Sequence, residues 1–295
     1  YLSSFTIAYG IAGGVAFLIS KEYRYFSLKK GDTQQLREML KYSIPSIPNM
    51  ISWWINSVSD RYILMLFWNA GIVGLYTAAS KLPAMINLVS SIFQQAWQYS
   101  TAKEIESEDK TSFFSTVLRG YLYICVCSCG CLILFNKVIC RLLLKTEFYN
   151  AWKFVPLLLL AAMFGCISTY FGVFYQALKK NTMLMVSTIV GAIINILFNL
   201  ILIPIYGGFG AAIATTISYI VVTIIRIVDV SKKVYLNIQW WRVFLQIVMV
   251  IIMMIFEMFI QIKEMFILRI ICLLIIILSD YKLIKKLLNL LKSRR

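Results

Sequence analysis

Apolar runs of about 20 residues recur along the whole chain, each long enough to cross a bilayer as a helix. They fall at roughly 1–19, 42–67, 71–98, 115–136, 150–177, 182–204, 209–229, 241–261 and 265–280. Apolar residues follow one another inside these runs without the in-out alternation of a membrane barrel, so helices are the predicted elements. Two other stretches have a different pattern. Asp32-Thr33-Gln34-Gln35 reads as a helix cap with Gln at the third position. Leu36, Met39 and Leu40 then share a face, which predicts a short surface helix between two groups of spans. Beyond the last run, Leu283, Leu287 and Leu291 form one row of the segment Tyr281–Arg295, with lysines opposite. That is the pattern of an amphipathic tail lying on an anionic inner leaflet.

Composition agrees with a polytopic membrane protein. Of the 295 residues 60% are hydrophobic, against about 45–50% in soluble domains. The chain begins without Met and inside an apolar run, so we expect a fragment that lacks its N-terminal part. No signal-peptide pattern points to secretion. The net charge is +16, from 29 basic and 13 acidic residues. In a soluble protein this would suggest a nucleic-acid partner. Here the basic residues lie mostly between the spans, and no nucleic-acid partner is expected. The odd-numbered connections carry most of them, including Arg226, Lys232, Lys233 and Arg242 after the seventh span. The even-numbered ones hold Lys137, Arg141, Lys145 and Lys263. The bias places the odd connections and the C-terminus in the cytoplasm and residue 1 outside.

The chain has no His, which removes the commonest general base and metal ligand. Neither an enzyme nor a cofactor is expected. Cys125, Cys127, Cys129 and Cys131 alternate like strand residues but sit in a helical run. On a helix only Cys125 with Cys129, and Cys127 with Cys131, share a face. Small apolar filler is the expected role, with a metal site as the alternative.

Two stretches carry a family resemblance. One is Asp60-Arg61-Tyr62-Ile63 with Val73-Gly74-Leu75-Tyr76-Thr77-Ala78-Ala79-Ser80-Lys81-Leu82. The other is Asn195-Ile196-Leu197-Phe198-Asn199-Leu200-Ile201-Leu202-Ile203-Pro204 with Gly207-Gly208-Phe209-Gly210-Ala211-Ala212-Ile213-Ala214-Thr215. In order and spacing they resemble the Wzx-like polysaccharide flippases of the multidrug/oligosaccharidyl-lipid/polysaccharide (MOP) exporter superfamily, over nearly the whole chain. The resemblance implies an all-α bundle of about fourteen helices, in two six-helix lobes with an extra pair. Residues 1–19 would then be the last helix of an N-lobe that is largely missing. Residues 20–41 would be a cytoplasmic inter-lobe linker, 42–230 the six-helix C-lobe, and 231–295 two additional helices with a basic tail. The implied activity is flipping undecaprenyl-pyrophosphate-linked oligosaccharide repeat units across the cytoplasmic membrane of a bacterium. The implied partners are that lipid-linked substrate, anionic membrane lipids and other polysaccharide-assembly proteins. Two alternatives are a cation-coupled drug or metabolite exporter of the same superfamily, and a membrane-embedded polymerase or glycosyltransferase. The latter would want acid and base residues in an outer loop, where the 137–149 connection offers only Glu147.

Charges inside the spans are the candidate site. A charge at the bilayer centre costs at least about 2.5–3.5 kcal/mol by insertion scales. Asp60 stands nine residues before a turn at Asn69 and Lys81 twelve after it. At about 1.5 Å rise per residue their depths differ by roughly 4–5 Å. An Asp60–Lys81 pair is therefore expected, leaving Arg61, about 100° around the helix, for another partner. Either the three charges neutralise one another, or they face a wet cavity that receives a pyrophosphate. Asn56, Ser57, Ser59, Gln94, Gln95 and Gln98 favour a hydrated face, or else serve as helix–helix glue. The predicted substrate-binding set is Asn56, Asp60, Arg61, Lys81, Gln94 and Gln95. Glu257 is either a proton-coupling carboxylate or a residue facing the bundle, with nothing basic near it in sequence. Arg119, Lys153 and Arg269 are expected as interfacial anchors. The glycines at 207, 208 and 210 are expected to make a tight turn and no phosphate cradle.

Overall fold

The computed structural model describes residues 2–21, 24, 33–259 and 264–281. The amphipathic tail expected beyond Tyr281 and the capping Asp32 lie outside them. The chain divides into two compact units, Tyr1–Lys41 and Tyr42–Arg295. The first holds α1 (Leu2–Ser20), exposed along its described length, and most of α2 (Thr33–Ser43). In α2 the expected apolar residues Leu36, Met39 and Leu40 are all exposed.

The second unit is a helical bundle. Its elements are α3 (Ser46–Phe67), α4 (Ala70–Ala79), α5 (Lys81–Glu104), α6 (Lys110–Leu134), α7 (Asn136–Leu143), a 3-10 helix (Thr146–Lys153), α8 (Val155–Ala177), α9 (Asn181–Tyr206), α10 (Gly208–Ser231), α11 (Trp240–Phe259) and α12 (Glu264–Ser279). The described residues form helices and connections with no strand. Among the described residues seven helical segments are long and apolar enough to span a membrane: α1 in the first unit and, in the second, α4 with α5 as one 35-residue segment, α6, α8, α9, α10 and α11. Helix α3 falls short of that measure because its polar residues interrupt it, and α12 is shorter, at 16 residues.

Helix α8 is the axis of this unit. Its sequence VPLLLLAAMFGCISTYFGVFYQA is apolar on every side, the pattern of a helix with no solvent or lipid face. Nearly all its residues are buried. It packs against α5, α6, α9, α10 and α11, while α9 joins it to α3 and α6 joins it to the α11–α12 pair.

Two turns fix the cavity-bearing side. Asn69 caps α4, its Oδ1 accepting from the Ile72 amide at 3.1 Å, which makes the tight hairpin the sequence predicts. Gly207 adopts φ +56°, a left-handed conformation that glycine enters freely. The Trp68 ring lies where a side chain would grow from Gly207, and Trp68 Nε1 donates to the Ile203 carbonyl at 2.7 Å. Gly210 sits against the Leu202 carbonyl. The glycines thus make a close-packed turn.

Three boundaries differ from the sequence reading. The third span is not continuous: α4 ends at Ala79 and α5 starts at Lys81. Pro83 has no N–H for the Ala79 carbonyl, so the ladder is interrupted there. Ser80 closes the first turn locally, its Oγ donating to Thr77 O at 2.8 Å. The fourth span begins earlier, at Lys110, and a separate α7 follows it. The fifth begins at Val155 after a 3-10 segment rather than at 150.

Candidate functional site

Ser52, Asn56 and Asp60 are buried at four-residue spacing on α3, so they form one polar row. That row faces α9 and α10, and there Asp60 finds its partners. Tyr76 Oη donates to Asp60 Oδ2 at 2.6 Å and Thr215 Oγ1 to the same oxygen at 2.7 Å. Asn199 Nδ2 donates to Oδ1 at 2.6 Å and Asn195 Nδ2 at 3.3 Å. Ser59 Oγ extends the network to Asn195 Oδ1 at 2.8 Å. Asp60 is 4% exposed, and every group holding it is neutral.

The expected Asp60–Lys81 pair is not formed. No ion pair among the described residues includes Asp60, Arg61 or Lys81. Similar depth does not bring the two together: Lys81 is exposed, whereas Asp60 is buried. Asp60 also points the other way, into the α9–α10 side. Arg61 is half-buried. Its Nη2 reaches Ser80 Oγ at 3.5 Å, and its Nε has no hydrogen-bond partner. Lys81 is exposed.

All six predicted site residues line one cavity of about 620 Å³, with walls from α3, α4, α5, α8 and α10. Asn56, Asp60 and Arg61 come from α3, and Lys81, Gln94 and Gln95 from α5. Gln94 Nε2 is anchored on Thr169 Oγ1 at 3.3 Å, and Asn56 Oδ1 is buried without a partner. Trp53 and Tyr219, with ring centroids 5.6 Å apart, add an aromatic wall. The cavity therefore presents two cations without a carboxylate partner, a row of amides, and aromatic faces. Its carboxylate is already occupied by four donors.

Sequence reasoning missed the residues that hold Asp60. Asn195 and Asn199 stand four apart inside an apolar run, which is itself a signal of one polar helix face. Tyr76 and Thr215 carried none. Other charges are also placed differently. Glu257, 1% exposed, pairs with Arg269 and accepts from Asn136 Nδ2 at 3.4 Å. Arg119 is bonded to Asp280. Neither arginine is therefore the free interfacial anchor expected. Arg226 is not a connection charge: it is 1% exposed inside α10 and donates to Ser187 Oγ, Ser168 O and Thr188 Oγ1 at 2.7–3.0 Å. Cys125 and Cys129 are buried on one face of α6, Cys127 is half-buried and Cys131 exposed.

The fold is similar to that of the lipid II flippase MurJ in its inward closed conformation, with a TM-score of 0.62 at 18% identity, covering 88% of this chain and 57% of that one. It is also similar to a MOP-superfamily transporter from Pyrococcus furiosus (TM-score 0.54, 18% identity, 75% of this chain and 52% of that one). An outward-facing multidrug-resistance MATE transporter gives a TM-score of 0.52 at the same identity and coverage. In sequence the chain is 26% identical over 222 residues to a probable low-salt glycan biosynthesis flippase, Agl15, of Haloferax volcanii, covering 74% of this chain and 47% of that protein. The chain thus spans about half the length of that relative. No family model matches. The chain is a polytopic membrane protein with the MOP fold, and in sequence it resembles a glycan-biosynthesis flippase.

Proposed function

We propose that the chain forms the C-terminal lobe and extra helix pair of a flippase that carries lipid-linked oligosaccharides across the cytoplasmic membrane. The carrying observation is the pair of cations, Arg61 and Lys81, set without a carboxylate partner on the wall of a cavity also lined by amides and aromatic rings. A guanidinium grips phosphate oxygens in a bidentate way, and an ammonium adds a point charge. The two take the pyrophosphate, while Gln94, Gln95, Asn56 and the Trp53–Tyr219 wall meet the sugars. The polyprenyl chain stays in lipid. Asp60 forms no ion pair with either cation; Tyr76, Thr215, Asn195 and Asn199 hold it instead. The glycan-flippase relative supports the substrate class. The charge bias of the connections supports a cytoplasmic C-terminus.

The test is delivery of lipid-linked repeat units to the outer leaflet in cells lacking the native flippase. Arg61→Ala with Lys81→Ala abolishes delivery at normal expression, and Arg61→Lys retains part of it. A well-expressed double variant that delivers normally overturns the assignment.

A second reading rests on Asp60. A buried carboxylate with no cationic partner, beside the partnerless Asn199 Oδ1, offers oxygen donors to a proton or a small monovalent cation. This fits a cation-coupled exporter as well as a coupled flippase. Dependence of transport on one cation, lost in Asp60→Asn, supports it.

A further inference from the structure

A separate cavity of about 480 Å³ lies where the first turns of α6 and α11 meet the end of α12. At its base Asp280, 4% exposed, is held by Arg119 through both Nε and Nη2. Arg242 Nη1 reaches the same oxygen at 3.4 Å, and Gln246 Nε2 the other at 3.1 Å. One carboxylate thus faces two guanidiniums, and Arg242 Nε is buried with no hydrogen-bond partner. Glu108 and Asp109 line the same cavity, are exposed, and take part in no ion pair among the described residues. Trp240 and Trp241, 47% and 64% exposed, stand beside Arg242 at the start of α11. Paired aromatic residues at a span end mark the headgroup level of a bilayer.

The cavity therefore offers a guanidinium pair that Asp280 only half-neutralises, and a free negative pair, at the depth where lipid headgroups sit. A free phosphate would meet the acids as well as the arginines, and an anionic headgroup likewise. A zwitterion satisfies both. We propose that this cavity binds the headgroup of a zwitterionic aminophospholipid, with its phosphate on Arg119 and Arg242 and its primary ammonium on Glu108 and Asp109. A primary ammonium carries three N–H donors for the two carboxylates. A choline headgroup carries none, and a glycerol headgroup has no cation. Leu118, Leu122 and Val243 supply the apolar wall for the glycerol end.

The test is native mass spectrometry of the purified chain after equilibration with equal amounts of phosphatidylethanolamine, phosphatidylcholine and phosphatidylglycerol. Phosphatidylethanolamine is retained in preference to the other two. Glu108→Gln with Asp109→Asn changes two exposed side chains outside any ion pair, so folding is undisturbed. This variant lowers the preference about two- to fivefold, the range of exposed charge pairs. Arg242→Gln lowers retention about tenfold, the loss of one charge-assisted phosphate bond. Equal retention of phosphatidylcholine overturns the proposal, as does a preference that the double acid variant leaves unmoved. Stronger retention of phosphatidylglycerol marks a site for phosphate alone and overturns it too.

Discussion

Asp60 and Glu257 are both carboxylates buried in membrane helices, and the structure treats them in opposite ways. Glu257 is closed off in the packing of α11 and α12, paired with Arg269 and touched by Asn136. Asp60 stands on a cavity wall with four neutral donors and no cation, although Arg61 and Lys81 line the same cavity. An ion pair on Glu257 neutralises the charge and ties two helices together. A cage of neutral dipoles on Asp60 stabilises the charge without cancelling it, and leaves the neighbouring cations free to act on something else. Burial alone does not separate the two carboxylates; the partner does.

That contrast can be broken by substitution. Glu257→Ala leaves Arg269 buried without its anion, and removing one partner of a buried pair costs about 3–5 kcal/mol. Thermal unfolding in detergent checks this, and Glu257→Ala with Arg269→Ala should be less harmful than the single change. If the single change costs nothing, the two carboxylates do not differ as described. Asp60→Asn tests the other side. Relief from burying an ion offsets lost charge-assisted bonds, so stability should move by no more than about 1 kcal/mol. Transport should nonetheless fall by about tenfold or more, equivalent to at least ~1.4 kcal/mol. An unfolded Asp60→Asn protein would make Asp60 as structural as Glu257. Trp68→Phe calibrates both: it deletes the bond to Ile203 O and part of the ring packed on Gly207, costs at least the ~0.5–1.5 kcal/mol of a hydrogen bond in unfolding, and should leave transport intact.

The sequence reading located the membrane helices because each rests on a local pattern of about 20 residues. It also named six side chains that the fold gathers around one cavity, since polar groups in apolar runs are conspicuous wherever they point. Their partners were not legible. Asp60 meets Asn195, Asn199 and Thr215 from 135 to 155 positions away, and periodicity says nothing about which helix lies beside which. Asp60 and Lys81 do not pair because matching depth leaves the direction of each side chain open: Asp60 turns to Tyr76, Asn195, Asn199 and Thr215, and Lys81 is exposed. The Glu257–Arg269 pair was readable. The two stand six residues either side of position 263, so a hairpin brings them to equal depth. In sequence Arg226 reads as a connection charge because it lies three residues from the apparent end of an apolar run, whereas the helix continues to Ser231.

Helix α8 has a consequence for motion. Away from the cavity that Ala161, Gly165 and Thr169 help to line, it has no face along which a neighbour can slide without opening a void, and close-packed interiors resist such opening. The helices gathered on it travel together, as spokes do with a hub. Any change of shape in this unit falls on the cavity side, where α8 meets open space rather than a neighbour.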